Sequence, residues 1–224
     1  MFLALDTSHG ATAAIVDNAF NVVAHHTHEN PRQHTEALTP LINSAIAEAQ
    51  IGIEDIASIV VGRGPAPFTG LRVGLVTARA LGTALRIEVY GVPVLAGIAR
   101  AVFDQEALDK VVVATDARRK EVYWATYAAH GSHDVVEVTS PAVDRPENVA
   151  ATIGDISVRG AGVDLYPDVL SGRDQPVDVE ALVRIASSRI HTAAEHNGAV
   201  DLPATPLYLR RPDIHPGLAK KGSA

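Results

Sequence analysis

The sequence predicts an α/β protein built from two related halves. An apolar strand-like run, FLALD at residues 2–6, ends in an aspartate and leads through a polar turn into a second apolar run. The same plan returns at residues 111–127, where VVVAT leads into Asp116, a polar turn and an alternating run. Between the two, short apolar runs alternate with segments of helical periodicity. A strand, an aspartate and a turn that occur twice, about 110 residues apart, indicate an internal duplication.

The N-terminal half opens with three predicted strands and a helix. The segment MFLALDTSHGATAAIVD (1–17) predicts strand, tight turn and strand, and FNVVAHHTH (20–28) continues as a third strand. Apolar residues at spacings of three and four predict a helix over 34–50. Pro40 allows two starts for this helix: Thr39 as N-cap with Pro40 at the first helical position, or an earlier start at Thr35 with a kink at Pro40.

The next segments continue the alternation of strands and helices. IASIVVG (56–62) is a nearly all-apolar run of the kind found in a strand covered on both faces. The loop GRGPAPFTGLRVG (62–74) follows it and runs into a helical pattern from Phe68 to about Arg86. EVYGV (88–92) then predicts a strand, and Val94 to Phe103 another helix.

The C-terminal half repeats the opening and ends in a long helix. DVVEVTS (134–140) extends the second sheet, and DISVRGAGVD (155–164) predicts a strand followed by a glycine-rich turn. Asp178 is a good N-cap for an amphipathic helix that ends at Asn197-Gly198. The composition places the boundary near FDQEALDK, so we expect an N-terminal subdomain over 1–104 and a smaller C-terminal subdomain and tail over 105–224.

Composition excludes several classes of protein. The apolar content of 47% and charged content of 20% are those of a folded globular chain. No apolar run approaches the ~20 residues of a membrane span, and no basic segment precedes the first apolar run, so we expect a cytoplasmic protein. With no cysteine, disulfides and thiolate metal sites are excluded. A net charge of −7 repels a phosphate backbone, so the isolated chain is not expected to bind nucleic acid.

Motifs for independent catalysis are missing. The ten histidines include no pair at i, i+4, and His34 has Leu38 four residues on, so we expect no metal site. No Gly-x-Ser-x-Gly elbow and no Walker A sequence occurs, and two prolines in the glycine-rich loop each remove a backbone donor. Asp6 and Asp116 fit either of two interpretations: turn chemistry, or the Mg²⁺ and phosphate site of a nucleotide-binding hairpin.

The helix after the glycine-rich loop carries a row of small residues. They recur at every fourth position: Gly70, Gly74, Ala78 and Gly82. Such a row lets a neighbouring backbone approach closely, and that neighbour is either the chain's own sheet or a partner helix. Arg72, Arg79 and Arg86 form a basic stripe on the same helix.

Four segments resemble the TsaB (YeaZ) family: LALDTS, GRGPAPFTGLRVGL, DARRKEVYWATY and PLYLRRPD. The resemblance runs from residue 1 to about residue 213, and the middle two segments are the most specific. Ala66 stands where the family loop usually has its second glycine.

The resemblance implies an actin-like or sugar-kinase-like (ASKHA) fold of two related α/β subdomains. It also implies a non-catalytic scaffold subunit that pairs with and activates a TsaD-type transferase, which threonylcarbamoylates the tRNA adenosine beside the anticodon. The TsaD-type partner carries the metal at a His-x-x-x-His motif, where this chain has His34 and Leu38. The pair is expected to recruit a TsaE-type ATPase and to bind tRNA only as a complex. A homodimer of this chain is an alternative when the partner is absent.

Two groups of site residues follow from the resemblance. The helices at about 34–50 and 68–86 are expected to form the partner interface, with Leu38, Leu41, Ile42, Ala45, Gly70, Arg72, Gly74, Ala78, Arg79 and Gly82. A remnant of a nucleotide site is expected at Asp6, Thr7, Ser8 and Asp116, although ATP or ADP can instead bind at the interface of the complex. The alternatives are a glycoprotease-like metallopeptidase, which the missing histidine pair disfavours, and a small kinase of the same fold.

Overall fold

The computed structural model describes residues 1–30 and 33–210, with the backbone alone at residue 68. The end of the PLYLRRPD segment and the tail that follows lie outside the described residues. The described part of the chain forms two β-sheets with helices between and outside them, which confirms the predicted α/β class.

The N-terminal sheet has the strand order β3-β2-β1-β4-β5. β1 and β2 pair antiparallel, as do β2 and β3, whereas β4 is parallel to β1 and β5 is parallel to β4. The strands are β1 (Phe2–Asp6), β2 (Ala11–Val16), β3 (Val22–His28), β4 (Ser58–Gly62) and β5 (Glu88–Val92).

The C-terminal sheet repeats this topology. Its order is β8-β7-β6-β10-β11, with β7 antiparallel to β6, β8 antiparallel to β7, β10 parallel to β6 and β11 parallel to β10. The strands are β6 (Lys110–Asp116), β7 (Val122–His130), β8 (Asp134–Glu137), β9 (Ala142–Asp144), which pairs with β7, β10 (Val158–Arg159) and β11 (Gly172–Arg173). Two sheets with one topology confirm the predicted duplication, and Asp6 and Asp116 end equivalent strands.

Six α-helices complete five alternating layers of helix and sheet in the described chain, and a short 3-10 helix, Ile53–Asp55, precedes β4. The α-helices are α1 (His34–Glu48), α2 (Phe68–Leu85), α3 (Val94–Gln105), α4 (Pro146–Ile153), α5 (Gly162–Leu165) and α6 (Val179–Glu195). α1 and α2 cover the outer face of the N-terminal sheet, and α4 and α5 cover the outer face of the C-terminal sheet. α3 and α6 lie between the sheets in the central core.

Period-two alternation in β1 decides which layer each side chain enters. Leu3 and Leu5 point to α1 and α2, whereas Ala4 points to the central core. Because both faces are covered, the inner strands are apolar on both sides.

α1 starts at His34 and contains Pro40 in its interior. The alternative with an early start is therefore correct to within one residue, and the alternative with Thr39 as N-cap is wrong. Ala66 is not among the residues with positive φ, while Gly64 in the same loop has φ +86°, so an alanine fits at position 66.

α6 belongs by sequence to the second half but covers the first. It packs on β1, β2, β4 and β5 and also contacts β8, whereas α3 packs on β6, β7, β8 and β10. Asp178 caps α6 as predicted, accepting a hydrogen bond from the Glu180 amide at 2.9 Å.

The chain that follows α6 stays on the N-terminal sheet. The Gly91 amide of β5 donates to the Leu202 carbonyl (3.0 Å), and the Leu207 amide donates to the Arg63 carbonyl (2.8 Å). The boundary at 104/105 stays a prediction, and α6 and the contacts of Leu202 and Leu207 show that parts of the chain beyond it lie against the N-terminal sheet.

Within residues 1–30 and 33–210, no helix combines the length and apolar character that crossing a membrane requires.

Candidate functional site

The turn after β1 holds a buried carboxylate. Asp6 is 4% exposed, and its two oxygens accept hydrogen bonds from the Ser8 amide (3.0 Å) and the Ser8 hydroxyl (2.8 Å). Burial raises the pKa of Asp6 above its usual range, and the Ser8 hydrogen bonds only partly oppose this. Gly62, at the end of β4, lies so close to Asp6 that a Cβ there would collide with the carboxylate.

Thr7 fastens this turn to α2. Its hydroxyl donates to the Gly70 carbonyl (2.8 Å) and accepts from the Gly74 amide (3.1 Å), and the residue is 1% exposed. A Cβ at Gly74 would lie 2.5 Å from the Thr7 hydroxyl oxygen, and one at Gly70 would lie 2.7 Å from the Thr7 carbonyl oxygen. The small residues of α2 therefore serve this contact inside the chain.

These contacts correct the predicted interface residues on α2. Gly70, Gly74 and Ala78 are buried against the chain's own β1 turn and sheet, and a Cβ at Gly82 would collide with Val89 of β5. The neighbour that needs the row of small residues is the chain's own sheet rather than a partner helix.

The buried face of α1 needs the same correction. Leu38, Ile42 and Ala45 are at most 4% exposed and pack in the outer core beneath α1 and α2. A partner cannot contact side chains that the chain's own sheet already covers. Of the ten predicted residues, Arg72 and Arg79 are exposed and Leu41 is half-buried.

The outward side of α1 and α2, called the outer face below, is exposed in the described part of the chain. On α2 it follows a helical spacing through Arg72, Val76, Arg79 and Thr83, and Val76 is 65% exposed. α1 lies beside α2 and contributes small and polar exposed residues, Thr39, Asn43 and Ala47. Sequence reasoning missed Val76, although an apolar residue between two arginines at helical spacing is the signal that marks it.

The C-terminal segment adds an aromatic residue beside the outer face. The Arg72 guanidinium donates to the Tyr208 hydroxyl (2.8 Å) and lies 5.8 Å from the ring centroid. Tyr208 is 41% exposed. Its contact with α2 joins residues 136 positions apart in sequence, so local patterns do not reveal it.

The second strand-aspartate turn is basic. Asp116 accepts from the Arg118 amide (2.7 Å) and pairs with the Arg118 guanidinium (3.0 Å). Arg118, Arg119 and Lys120 have φ of +63°, +56° and +60°, three consecutive residues in the left-handed region.

Two adjoining clefts separate the halves. One, of about 390 Å³, is lined by Asp6 and by Thr115, whose buried hydroxyl has no hydrogen-bond partner among the described residues. The other, of about 430 Å³, is lined by Ser8, His34 and Asp116. The structure thus brings together three of the four residues of the predicted nucleotide-site remnant, Asp6, Ser8 and Asp116, along these clefts, while Thr7 is bonded to α2.

The described residues contain no group of three or more histidine, aspartate or glutamate side chains placed to hold a metal ion. Burial lowers the pKa of His34, which favours its neutral form.

Comparisons with known proteins identify the family of this chain. A family model described as TsaD, tRNA N6-adenosine threonylcarbamoyltransferase, matches residues 21–169. The Escherichia coli K12 tRNA threonylcarbamoyladenosine biosynthesis protein TsaB is 30% identical over 219 residues, which cover 93% of this chain and 94% of that protein. This chain belongs to the TsaB family.

Two further relatives extend the comparison, one of them to a solved structure. YeaZ from Pseudomonas aeruginosa superposes with a TM-score of 0.76 at 28% identity, over 93% of this chain and 99% of that one. The uncharacterized protein Rv3421c of Mycobacterium tuberculosis is 37% identical over 96% of this chain and 93% of its own length. With the duplicated sheet topology, these matches show the actin-like, sugar-kinase-like fold that the resemblance implies for this TsaB-family chain.

Proposed function

We propose that this TsaB-family chain is the non-catalytic subunit that pairs with and activates a TsaD-type transferase in the biosynthesis of threonylcarbamoyladenosine in tRNA. The observation that carries the proposal is the match to E. coli TsaB along nearly the whole of both chains. Because the substrate is tRNA, we place the chain in the cytoplasm.

The residues at the strand-aspartate turns favour a scaffold role. Both Asp6 oxygens accept hydrogen bonds from Ser8, and the Thr7 hydroxyl bridges β1 to α2. Leu38 is buried in the outer core at the position where the resemblance puts a metal-binding histidine of the transferase. These side chains serve the fold, so the chemistry is assigned to the partner.

The outer face has the chemistry of a helix-pairing surface. Val76 supplies an exposed apolar centre, and Arg72 and Arg79 lie one turn to either side of it. An apolar centre with a charged rim is the usual composition of a protein interface. Small exposed residues on α1 and α2, such as Ala47 and Ala80, let a partner helix approach closely.

The experiment that tests the interface compares two identical substitutions. Val76→Glu places a carboxylate at the centre of the outer face, whereas Val136→Glu places one on β8, where the valine is 50% exposed. We expect both chains to fold, Val136→Glu to co-elute with the TsaD-type subunit, and Val76→Glu not to. Normal co-elution of Val76→Glu would overturn the interface.

The function itself is tested in cells. Depleting the chain is expected to lower threonylcarbamoyladenosine in total tRNA, measured by mass spectrometry, and the Val136→Glu chain is expected to restore it where Val76→Glu does not. Unchanged modification after depletion would overturn the proposed function.

The same surface accounts for the other proposed assemblies. Without a partner, two copies pair through the outer face, so light scattering should give a mass that falls on dilution and is monomeric for Val76→Glu. The TsaE-type ATPase and tRNA are proposed to bind the complex rather than this chain alone, because the chain's net charge of −7 opposes RNA. A gel shift by the lone chain at physiological salt would contradict this.

We also propose that ATP or ADP binds at the interface of the complex rather than at Asp6. Both Asp6 oxygens already accept hydrogen bonds from Ser8, which leaves the carboxylate less free to hold Mg²⁺ or its waters. Calorimetric titration with ADP and Mg²⁺ should give saturable heat with the complex and none with the isolated chain. Saturable binding of ADP by the isolated chain would contradict this proposal and favour the predicted nucleotide site at Asp6.

A further inference from the structure

We propose that the smaller of the two adjoining clefts between the halves binds a small organic amine. This cavity, called the inner cleft below, has a volume of about 390 Å³, and its lining includes Asp6, Glu29, Thr115 and Asp174. Sites for small ligands usually have volumes of about 300–1,000 Å³, so the inner cleft has room for a small one. The proposal does not depend on pairing with a TsaD-type subunit, because every residue that it uses belongs to this chain.

Strand alternation directs Asp6 and Thr115 into the inner cleft from opposite halves. Ala4 of β1 and Val113 of β6 lie in the central core between the sheets. Residues two positions further along a strand share the same face, so Asp6 and Thr115 both point into the space between the sheets. They are 4% and 1% exposed, and together they form the buried end of the cleft.

Thr115 is the polar group of the buried end that lacks a partner. Its hydroxyl has no hydrogen-bond partner among the described residues. A buried hydroxyl that stays unpaired lowers stability, so a polar atom from outside the chain is expected to pair with it. A hydroxyl can accept a hydrogen bond from an N–H donor, which an ammonium group supplies.

The inner cleft is acidic. Its carboxylates are Asp6 at the buried end and Glu29 and Asp174 at the exposed rim. His9 and His25 complete the titratable side chains of the lining, and no lysine or arginine of the described chain lines it. A cleft with walls of one sign of charge concentrates ligands of the opposite sign. The inner cleft therefore repels phosphates and carboxylates and attracts cations.

The lining favours an organic amine over a metal ion. Among the residues that the structure describes, no three histidine, aspartate or glutamate side chains are placed to hold a metal ion together. Apolar side chains share the wall with the carboxylates: Ile98, Ala161, Pro176 and Val177. An aliphatic stem can pack against them while its ammonium groups face the carboxylates. Burial raises the pKa of Asp6, and an ammonium group beside it opposes that shift by favouring the ionised form.

The test uses the isolated chain and a matched pair of probes. Putrescine, a linear diamine, carries ammonium groups at both ends at about pH 8, whereas the diol with the same carbon chain carries no charge. Each probe is titrated into the chain at low salt and followed by amide NMR spectra, which report both affinity and location. We expect putrescine to give saturable shifts at amides of the inner cleft, Thr115 and Val177 among them, and the diol to give none.

The role of charge is tested at the rim. Glu29→Gln/Asp174→Asn neutralises both rim carboxylates and should weaken putrescine binding by about 4- to 25-fold, at about 2- to 5-fold for each exposed ion pair. The control, Glu88→Gln/Asp168→Asn, makes the same change at two exposed residues outside the lining. It should bind putrescine like the unmodified chain.

The role of the hydroxyl is tested at the buried end. Thr115→Val removes the hydroxyl, keeps the branched shape and should weaken putrescine binding by about 2- to 10-fold. Without ligand, its melting temperature should equal or exceed that of the unmodified chain, because the variant removes an unpaired buried group. A lower melting temperature would show that the hydroxyl is already hydrogen-bonded in the free chain and would count against the site.

Three results would overturn the inference. One is the absence of saturable shifts with putrescine, or equal shifts with the diol. Another is the same loss of affinity in the rim variant and in its control, which would make binding a general effect of the negative charge of the chain. The third is saturable binding of ADP with Mg²⁺ by the isolated chain at the same amides, which would make the inner cleft a nucleotide site.

Discussion

Gly74 was predicted to contact a partner helix, but it contacts Thr7 in the β1 turn of its own chain. A leucine at position 74 would push α2 away from the β1 turn and remove two hydrogen bonds of Thr7. We expect Gly74→Leu to destabilise the isolated chain by about 1–3 kcal/mol or more and to lower its melting temperature by several degrees. Val76→Leu, two residues on but exposed, is the matched control and should stay within about 0.5 kcal/mol of the unmodified chain. Equal melting of both variants, at a concentration where the chain is monomeric, would contradict the internal assignment.

Asp6 is expected to make stability depend on pH in the direction opposite to a typical surface aspartate. Burial raises its pKa in the folded state above the ordinary value of 3.8, so the folded state holds its proton to higher pH than the unfolded state does. The free energy of unfolding that Asp6 contributes is then fully present below pH ~4 and is lost as pH rises through the folded-state pKa.

Replacing Asp6 isolates this contribution. The free energy of unfolding of Asp6→Asn minus that of the unmodified chain should rise as the pH is increased from about 4, whatever its value at the acidic end. Urea unfolding of both chains across that range measures it. A difference that is flat or falls with pH would show that the carboxyl ionises without penalty.

Helix and strand positions were largely predictable, whereas the neighbours of each face were not. Asp178 and the apolar periodicity after it predict α6 to within a few residues. The small residues of α2 share a face by their spacing, but a strand of the same chain and a helix of a partner require the same spacing. Only the pairing of β1 with β4, which brings Thr7 beside α2, decides between them. Short elements such as α4, eight residues long, carry too little periodicity to be found.

The segment after α6 is expected to act as a structural edge of the N-terminal sheet. Leu202 is 5% exposed in the central core, and its carbonyl accepts from Gly91 of β5. Leu202→Ala should cost about 2–5 kcal/mol. Val200→Ala, at a residue 37% exposed just before the segment docks, should cost less than about 0.5 kcal/mol. Urea unfolding measures the free energy of unfolding of both variants. Similar small losses of stability in the two would mean that the segment is not part of the cooperative structure.

α3 belongs by sequence to the first half but packs on the C-terminal sheet, and α6 belongs to the second half but covers the N-terminal sheet. We therefore expect the molecule to unfold as one unit. α6 covers the inner face of the N-terminal sheet, pairs through Arg184 with Asp104 of α3 (2.5 Å), and pairs through Arg189 with Asp134 of β8 (3.0 Å). Calorimetry of the intact chain should show a single transition with equal calorimetric and van't Hoff enthalpies.

Separating the halves at the predicted boundary is the complementary measurement. A fragment of residues 1–104 lacks α6 and leaves one face of its sheet open to water, so it should show no cooperative transition by circular dichroism. Adding residues 105–224 should restore one. A cooperative transition of the 1–104 fragment alone would show that the sheet is stable without its second cover.

During synthesis on the ribosome, the N-terminal sheet is made long before the helix that covers its inner face. The last strand of the N-terminal sheet ends at Val92, but the helix that covers its inner face is complete only at Glu195, and at about 5–20 residues per second that interval lasts roughly 5–20 s. During it, Ala4, Val60 and Val92 face water in a nascent chain whose first half cannot finish folding. The first half is therefore the part of the nascent chain in which chaperone binding and misfolding should concentrate, and codons that slow translation between residues 92 and 179 should lower the yield of folded protein.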